Sequence, residues 1–300
     1  MPDSRALIAL VLCGAAARTA EIQPIIDRPP TLPQGKVDLT LHGTYTNWGN
    51  GSTAGVGPAS LDGETLALGV DFGATDQFQL GFVVALPIHP GAGFGSILGG
   101  AGVALGKESA LRIDVGYERV GFNGDTGTLG LTHIDRFFSG IGGHIKVPIT
   151  PTIAFVSGRT GVVHFGHFDN IGDSGTGFYL GSSLLTEAAS DFFVVSGGSN
   201  DSSTNIGINL PLGLLLQPDP QLAITLQAGY SAVIQIPSSG SAQALHFVPI
   251  GLQAVVSATP ALDIGASFFL DGYVGNSGGS SGNPGYFDLR ALMLWFRVRV

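Results

Sequence analysis

The chain has a single cysteine, Cys13, among 300 residues. It cannot close an internal disulfide, and a cysteine-based metal site is excluded. Charge is also scarce: Asp, Glu, Lys and Arg make up 12 % of the sequence, about half the ordinary share. Thirteen basic residues against 22 acidic ones leave a net charge of −9. With no Lys/Arg cluster to neutralise phosphates, a nucleic-acid binder is excluded. A hydrophobic share of 44 % excludes a disordered chain, which needs low hydrophobicity and high net charge. Long apolar runs are missing beyond the first twenty residues. Pro220–Leu262 carries no charge, but Pro237-Ser-Ser-Gly-Ser241 and the recurring Gln227, Gln235 and Gln253 break it up. No helix of about 20 apolar residues can form there.

Glycine is plentiful, 47 of 300, about twice ordinary usage. Glycine at that level disfavours helices. The start of the chain is different. Arg5, the apolar run Ala6–Ala17 and the following Arg18-Thr19-Ala20 have the form of a secretory signal peptide over residues 1–20, with Ala15 and Ala17 suited to cleavage after Ala17. Residues 21–35 form a Pro-rich lead-in (Pro24, Pro29, Pro30, Pro33), read as an extended periplasmic tail or a plug.

From residue 36 onward the period is two. Val37, Leu39 and Leu41 alternate with Lys36, Asp38, Thr40 and His42; Leu111, Ile113, Val115 and Tyr117 alternate with Arg112, Asp114, Gly116 and Glu118. Such alternation marks strands with one apolar and one polar or small face. Twelve segments show it: 36–47, 60–74, 77–88, 95–106, 109–122, 128–149, 152–166, 204–217, 221–236, 244–258, 261–272 and 286–300. Most reach the 9–11 residues that a tilted strand needs to cross a bilayer. Their connections alternate between tight turns, such as Thr150-Pro-Thr152 and Thr259-Pro-Ala261, and wider loops at 48–59, 88–94, 123–127, 167–203, 237–243 and 273–285. Short turns at one end and long loops at the other are the pattern of outer-membrane barrels.

The expected fold is therefore all-β: a transmembrane up-and-down antiparallel β-barrel of about 12 strands over 36–300, with short periplasmic turns and longer extracellular loops. A soluble β-sandwich also alternates, but its outward face should be rich in Lys, Glu and Arg. Here the face opposite the apolar one is mainly Gly, Ala, Ser, Thr, Gln and Asn. Tyr45, Trp48, Phe72, Phe78, Tyr117, Phe247 and Phe296 stand near strand ends, where girdles of aromatic rings meet the headgroups.

The last strand carries Leu292, Leu294, Phe296, Val298 and Val300 as one alternating row to the final residue. This resembles the C-terminal signature by which the assembly machinery recognises bacterial outer-membrane β-barrels. Those barrels normally end in Phe, whereas this chain ends in Val300. The stretch Gly73-Ala-Thr-Asp-Gln-Phe-Gln-Leu-Gly81 is similar to strand–turn–strand units of twelve-stranded porin and transporter families of the phenol-degradation-pathway type. The resemblance implies transport, an outer-membrane address, lipid and the assembly machinery as partners, and no catalytic residue.

Chemical motifs are few. Gly278-Gly-Ser280-Ser-Gly282 spells a nucleophile elbow but sits in a Gly/Ser tract without the strand-to-helix turn that would expose a nucleophile. None of the seven histidines stands two before a serine, the arrangement of barrel phospholipases and deacylases. His164, His167, Asp169 and Asp173 suggest a metal rim, yet Ile171 fills a calcium-loop ligand position and no Glu follows at the twelfth. No enzyme, metal or cofactor is expected. The candidate functional residues are the inward-facing charges: Lys36, Asp38, His42, Asp71, Arg112, Asp114, Glu118, Arg136, His144, Lys146, Asp263, Asp271, Arg297 and Arg299, with Arg159 added although its phase is unclear around Gly158. A charge at bilayer depth faces the interior because lipid exposure costs about 2–4 kcal/mol at the midplane. These residues line either a solute path or a self-satisfied salt-bridge network. The expectation is a monomeric pore or transporter for a small solute, partly restricted by 167–203. A closed structural or surface-interaction barrel is the alternative.

Overall fold

The computed structural model describes residues 21–48, 61–89, 96–121, 133–169, 176–181, 191–196, 203–237, 241–276 and 289–300. The expected leader 1–20, Asp173 and the Gly/Ser tract around Ser280 lie outside them. In chain order the strands are β1 (Val37–Trp48), β2 (Leu61–Thr75), β3 (Phe78–His89), β4 (Ser96–Ala104), β5 (Ser109–Gly121), β6 (His133–Thr150), β7 (Ile153–Asp169), β8 (Thr176–Gly181), β9 (Asp191–Ser196), β10 (Ser203–Asp219), β11 (Leu222–Pro237), β12 (Gln243–Thr259), β13 (Leu262–Asn276) and β14 (Leu289–Arg299). Twelve of them close one antiparallel barrel in the order β1-β14-β13-β12-β11-β10-β7-β6-β5-β4-β3-β2. Closure is completed at the chain ends, where Val37 and Val300 exchange both backbone hydrogen bonds at 3.0 and 2.8 Å. No barrel edge is left unpaired, as hydrocarbon requires.

The faces are inverted relative to a soluble fold. Leu68 is 55 % exposed while Asp71, three residues on, is 4 % exposed. The same alternation holds on β1, where Leu39 and Leu41 are exposed and Asp38, Thr40 and His42 buried. On β14, Leu292, Leu294 and Phe296 are exposed and Met293, Trp295 and Arg297 buried. Apolar rows that water would penalise belong against acyl chains. Among the described residues no helix is long and apolar enough to cross a membrane. The shortest barrel strand, nine-residue β4, spans about 30 Å at 3.3 Å per residue, roughly one hydrocarbon core.

Four of the tight turns share one device. Thr75 Oγ1, Thr150 Oγ1, Asp219 Oδ1 and Thr259 Oγ1 each accept from the backbone N–H two residues on, at 2.8–3.2 Å. A side chain that mimics a backbone turn fixes the reversal. Both barrel ends of the chain, Val37 and Val300, lie at this turn end.

Where the sequence reading has one connection over 167–203, the structure has three strand pieces. β7 runs on to Asp169, with His164 opposite Gly207 and His167 opposite Thr204, so both histidines are strand residues. β8 and β9 form a separate two-stranded sheet. A ladder needs only backbone donors and acceptors, so strands continue after the apolar alternation stops. β13 likewise reaches Asn276 rather than 272. The expected start of β6 at 128 lies outside the described residues.

Candidate functional site: the lumen and the N-terminal segment

Residues 25–32 occupy the turn-side end of the barrel interior. Pro24, Pro29 and Pro30 restrict their backbone to extended φ, and Ile25–Asp27 makes a single 3-10 turn. Ile25 and Ile26 are each 3 % exposed and join Ala154, Val156, Leu215, Ala223, Val255, Met293 and Trp295, inner-face residues of β7, β10, β11, β12 and β14, in one apolar cluster. Isolated backbone groups in such a position need partners, and the barrel wall supplies them. The Ile26 N–H donates to Gln217 Oε1 at 3.3 Å and the Leu32 N–H to Gln79 Oε1 at 2.9 Å. Lys146 Nζ donates to the carbonyls of Ile25 and Arg28 at 2.7 and 2.6 Å. The segment leaves through Gly35, whose φ of 75° suits glycine. Gly73 accepts the Gly35 N–H at 2.7 Å, and a Cβ on Gly73 would collide with the Pro33 carbonyl.

A ladder of charge ties this segment to the seam of the barrel. Arg28 grips Asp263 with two hydrogen bonds, 2.7 and 3.0 Å, and donates a third to Ser257 at 2.8 Å. Arg297 Nε donates to the same carboxylate at 2.9 Å, and its Nη2 pairs with it as well. Arg297 also lies 3.8 Å from Asp38, which Arg299 holds in a fork at 2.9 and 3.0 Å. β13, β14 and β1 are therefore cross-linked on the inside by three guanidiniums and two carboxylates. Bidentate guanidinium–carboxylate geometry is the strong form of this contact.

Of the sequence-derived candidates, Asp38, His42, Asp71, Arg112, His144, Lys146, Asp263 and Arg297 are buried on the inner wall. Arg299 is half-buried. Lys36 is exposed and borders a cavity between the segment and the wall. For the others the description is of backbone position. Asp114 stands between Gly100 and Gly140, Glu118 is opposite Arg136, and Asp271 is opposite Pro249 and Leu289. Arg159 falls where the β6–β7 register slips between the Ile145–Ser157 and Gly143–Thr160 pairs. That slip is the reason for its uncertain phase.

Several lumen residues are not among the sequence-derived candidates. Arg28 lies outside any periodic segment. Gln79 and Gln217, both buried, hold the segment's backbone. Trp295 shares the phase of Arg297 and could have been assigned from it. Its indole lies against Gly265, where a Cβ would collide with the ring, and Arg297 sits 5.5 Å from the ring centroid, a cation–π distance. Thr40 Oγ1, Gln253 Oε1 and Ser267 Oγ are buried without a hydrogen-bond partner in the protein, and Gln253 stands directly opposite Ser267. Such atoms call for water or a polar solute.

No protein-family model and no curated protein matches the chain. Solved structures do resemble it. One is an outer membrane channel from Pseudomonas putida F1, with a TM-score of 0.55 and 12 % identity over 93 % of this chain and 100 % of that one. Another is the translocator domain of the autotransporter NalP from Neisseria meningitidis, with a TM-score of 0.50 and 11 % identity over 99 % of this chain and 95 % of that one. At these identities the likeness is one of fold. By that fold and by its apolar exterior, this chain is a twelve-stranded β-barrel of the bacterial outer-membrane kind.

Proposed function

We propose that the protein is a passive outer-membrane pore or transporter for a small solute, with the inward charges acting on what passes. The observation that carries this reading is the enclosed inner wall, on which Asp38, Asp71, Arg112, Lys146, Asp263 and Arg297 are all buried from lipid. A polar lumen behind an apolar exterior is the architecture of a water path. Lys36, Asp114, Glu118, Arg136, Arg159, Asp271 and Arg299 belong to the same path by phase. Segment 25–32 narrows it at the turn end, and the excursion 167–203, with its β8–β9 hairpin, restricts it at the loop end. The C-terminal row ending at Val300 is the contact for the assembly machinery, and membrane lipid is the standing partner. The similar Pseudomonas putida protein is a channel, which agrees with this reading.

The buried Arg28–Asp263 contact favours a second reading, a closed barrel that presents its loops without transport. Planar-bilayer conductance separates the two. Discrete current steps from the folded chain support the pore. No current from the folded chain, nor from a variant lacking both 21–34 and 170–200, rejects it.

A further inference from the structure

On the loop side of the apolar cluster the inner wall of β11–β13 turns polar without turning charged. Ladder partners set the side chains in level rows. Ala223, Val255, Gly265 and Trp295 make one row, and the Trp295 ring takes the space over Gly265. Thr225, Gln253, Ser267 and Met293 make the next row, one step further from the turns. Its three polar members, Thr225, Gln253 and Ser267, are 3, 2 and 2 % exposed. Gln227 stands one step higher, opposite Gly251, which adds no side chain to the wall. Gln253 Oε1 and Ser267 Oγ, on residues directly opposite each other, have no hydrogen-bond partner in the protein. The acids of the lumen differ: Asp38 and Asp263 are held by guanidiniums that tie the seam and the N-terminal segment. A buried polar atom without a partner weakens a fold, and an apolar side chain of similar shape would not. Rule-breaking positions of this kind are where function is expected to override stability.

We propose that the Thr225–Gln253–Ser267 row is a hydrogen-bonding shelf for a neutral polyhydroxyl solute, just outside the constriction made by Ile25, Ile26 and Trp295. The amide oxygen of Gln253 only accepts, so the partner it lacks is a donor. A hydroxyl supplies one; a carboxylate or sulfate ion does not. The hydroxyls of Thr225 and Ser267 both give and take, which matches the alternating needs of a polyol. Because the row is buried, an arriving solute displaces the side chains packed over it, and the hydrogen bonds it brings offset that cost. This assignment rests on the pore reading and names its class of solute.

The test combines stability with transport in the full barrel. Gln253→Met and Ser267→Ala keep the shape of the wall and remove the unpaired atoms. Each should raise the urea midpoint of unfolding from vesicles. Each should also slow the entry of erythritol into proteoliposomes by about three- to tenfold, the worth of one net hydrogen bond, while potassium chloride conductance in planar bilayers stays as it was. Gln221→Ala, at an exposed turn position outside the row, should change none of the three readings. A heat-modifiable band shows that each variant is folded. Erythritol entry that is unchanged in both folded variants, or that falls only in step with conductance, overturns the shelf. So does a lowered urea midpoint in both, which would mean that the atoms have partners. A conducting barrel that never admits erythritol overturns the solute class alone, and a barrel that passes neither ions nor erythritol overturns the pore reading beneath it.

Discussion

Arg28 and Asp263, 235 positions apart in sequence, meet through two hydrogen bonds of 2.7 and 3.0 Å inside the barrel. One side chain comes from the N-terminal segment and the other from the turn end of β13. The pair holds the segment in the lumen, and both members are buried. Breaking a buried pair from one side leaves a desolvated charge, which costs about 3–5 kcal/mol. Asp263→Asn should lower the folding free energy into vesicles, measured by urea titration, by about that amount, since it strands both Arg28 and Arg297. Arg28→Ala should cost less, because Arg297 still neutralises Asp263. Equal, negligible effects from both variants would show that the contact does not hold the segment.

Removal of residues 21–34 should leave a folded barrel and enlarge its conductance. The barrel ladder does not include these residues, so folding should persist, read as a heat-modifiable band on a gel. The apolar cluster around Ile25 and Ile26 would open to water. Unchanged conductance in the folded deletion variant would mean that the segment does not limit the path.

Gly73→Val should mimic that deletion without shortening the chain. Its side chain would occupy the place of the Pro33 carbonyl, and the segment, not the twelve-stranded ladder, is the part able to give way. Protease digestion from the turn side should then cut within 21–35, where the unmodified protein resists. Resistance equal to that of the unmodified protein would contradict the close approach.

Gly265→Val should push Trp295 off its seat on β13. In a Trp48→Phe background, leaving Trp295 as the only tryptophan, its emission should shift to longer wavelength and become open to aqueous quenchers. An unmoved spectrum would show that the ring does not lie on Gly265.

Much of the barrel was legible because period-two alternation assigns every residue of a strand to one face at once. Reading β1, β5 and β14 by phase was enough to put Asp38, Arg112 and Arg297 on the inner side, where the structure has them. Legibility failed where that logic has no purchase. Around Gly158 the register slips, so phase cannot be carried through to Arg159. The β8–β9 hairpin follows backbone pairing within a stretch with no sustained alternation. The lead-in 21–35 has no period, and its position is set by partners such as Gln217 and Asp263, far away in sequence. A tail and a plug read alike until those contacts are known.

The central claim is that the apolar rows meet acyl chains and the polar rows an enclosed interior. Spin labels placed singly at Leu68, Val70, Gly69 and Asp71, with the native cysteine replaced, test it in lipid vesicles. The account predicts strong relaxation by membrane-dissolved oxygen at 68 and 70, and weak relaxation at 69 and 71. Strong oxygen access at 69 and 71, with 68 and 70 shielded, would contradict it.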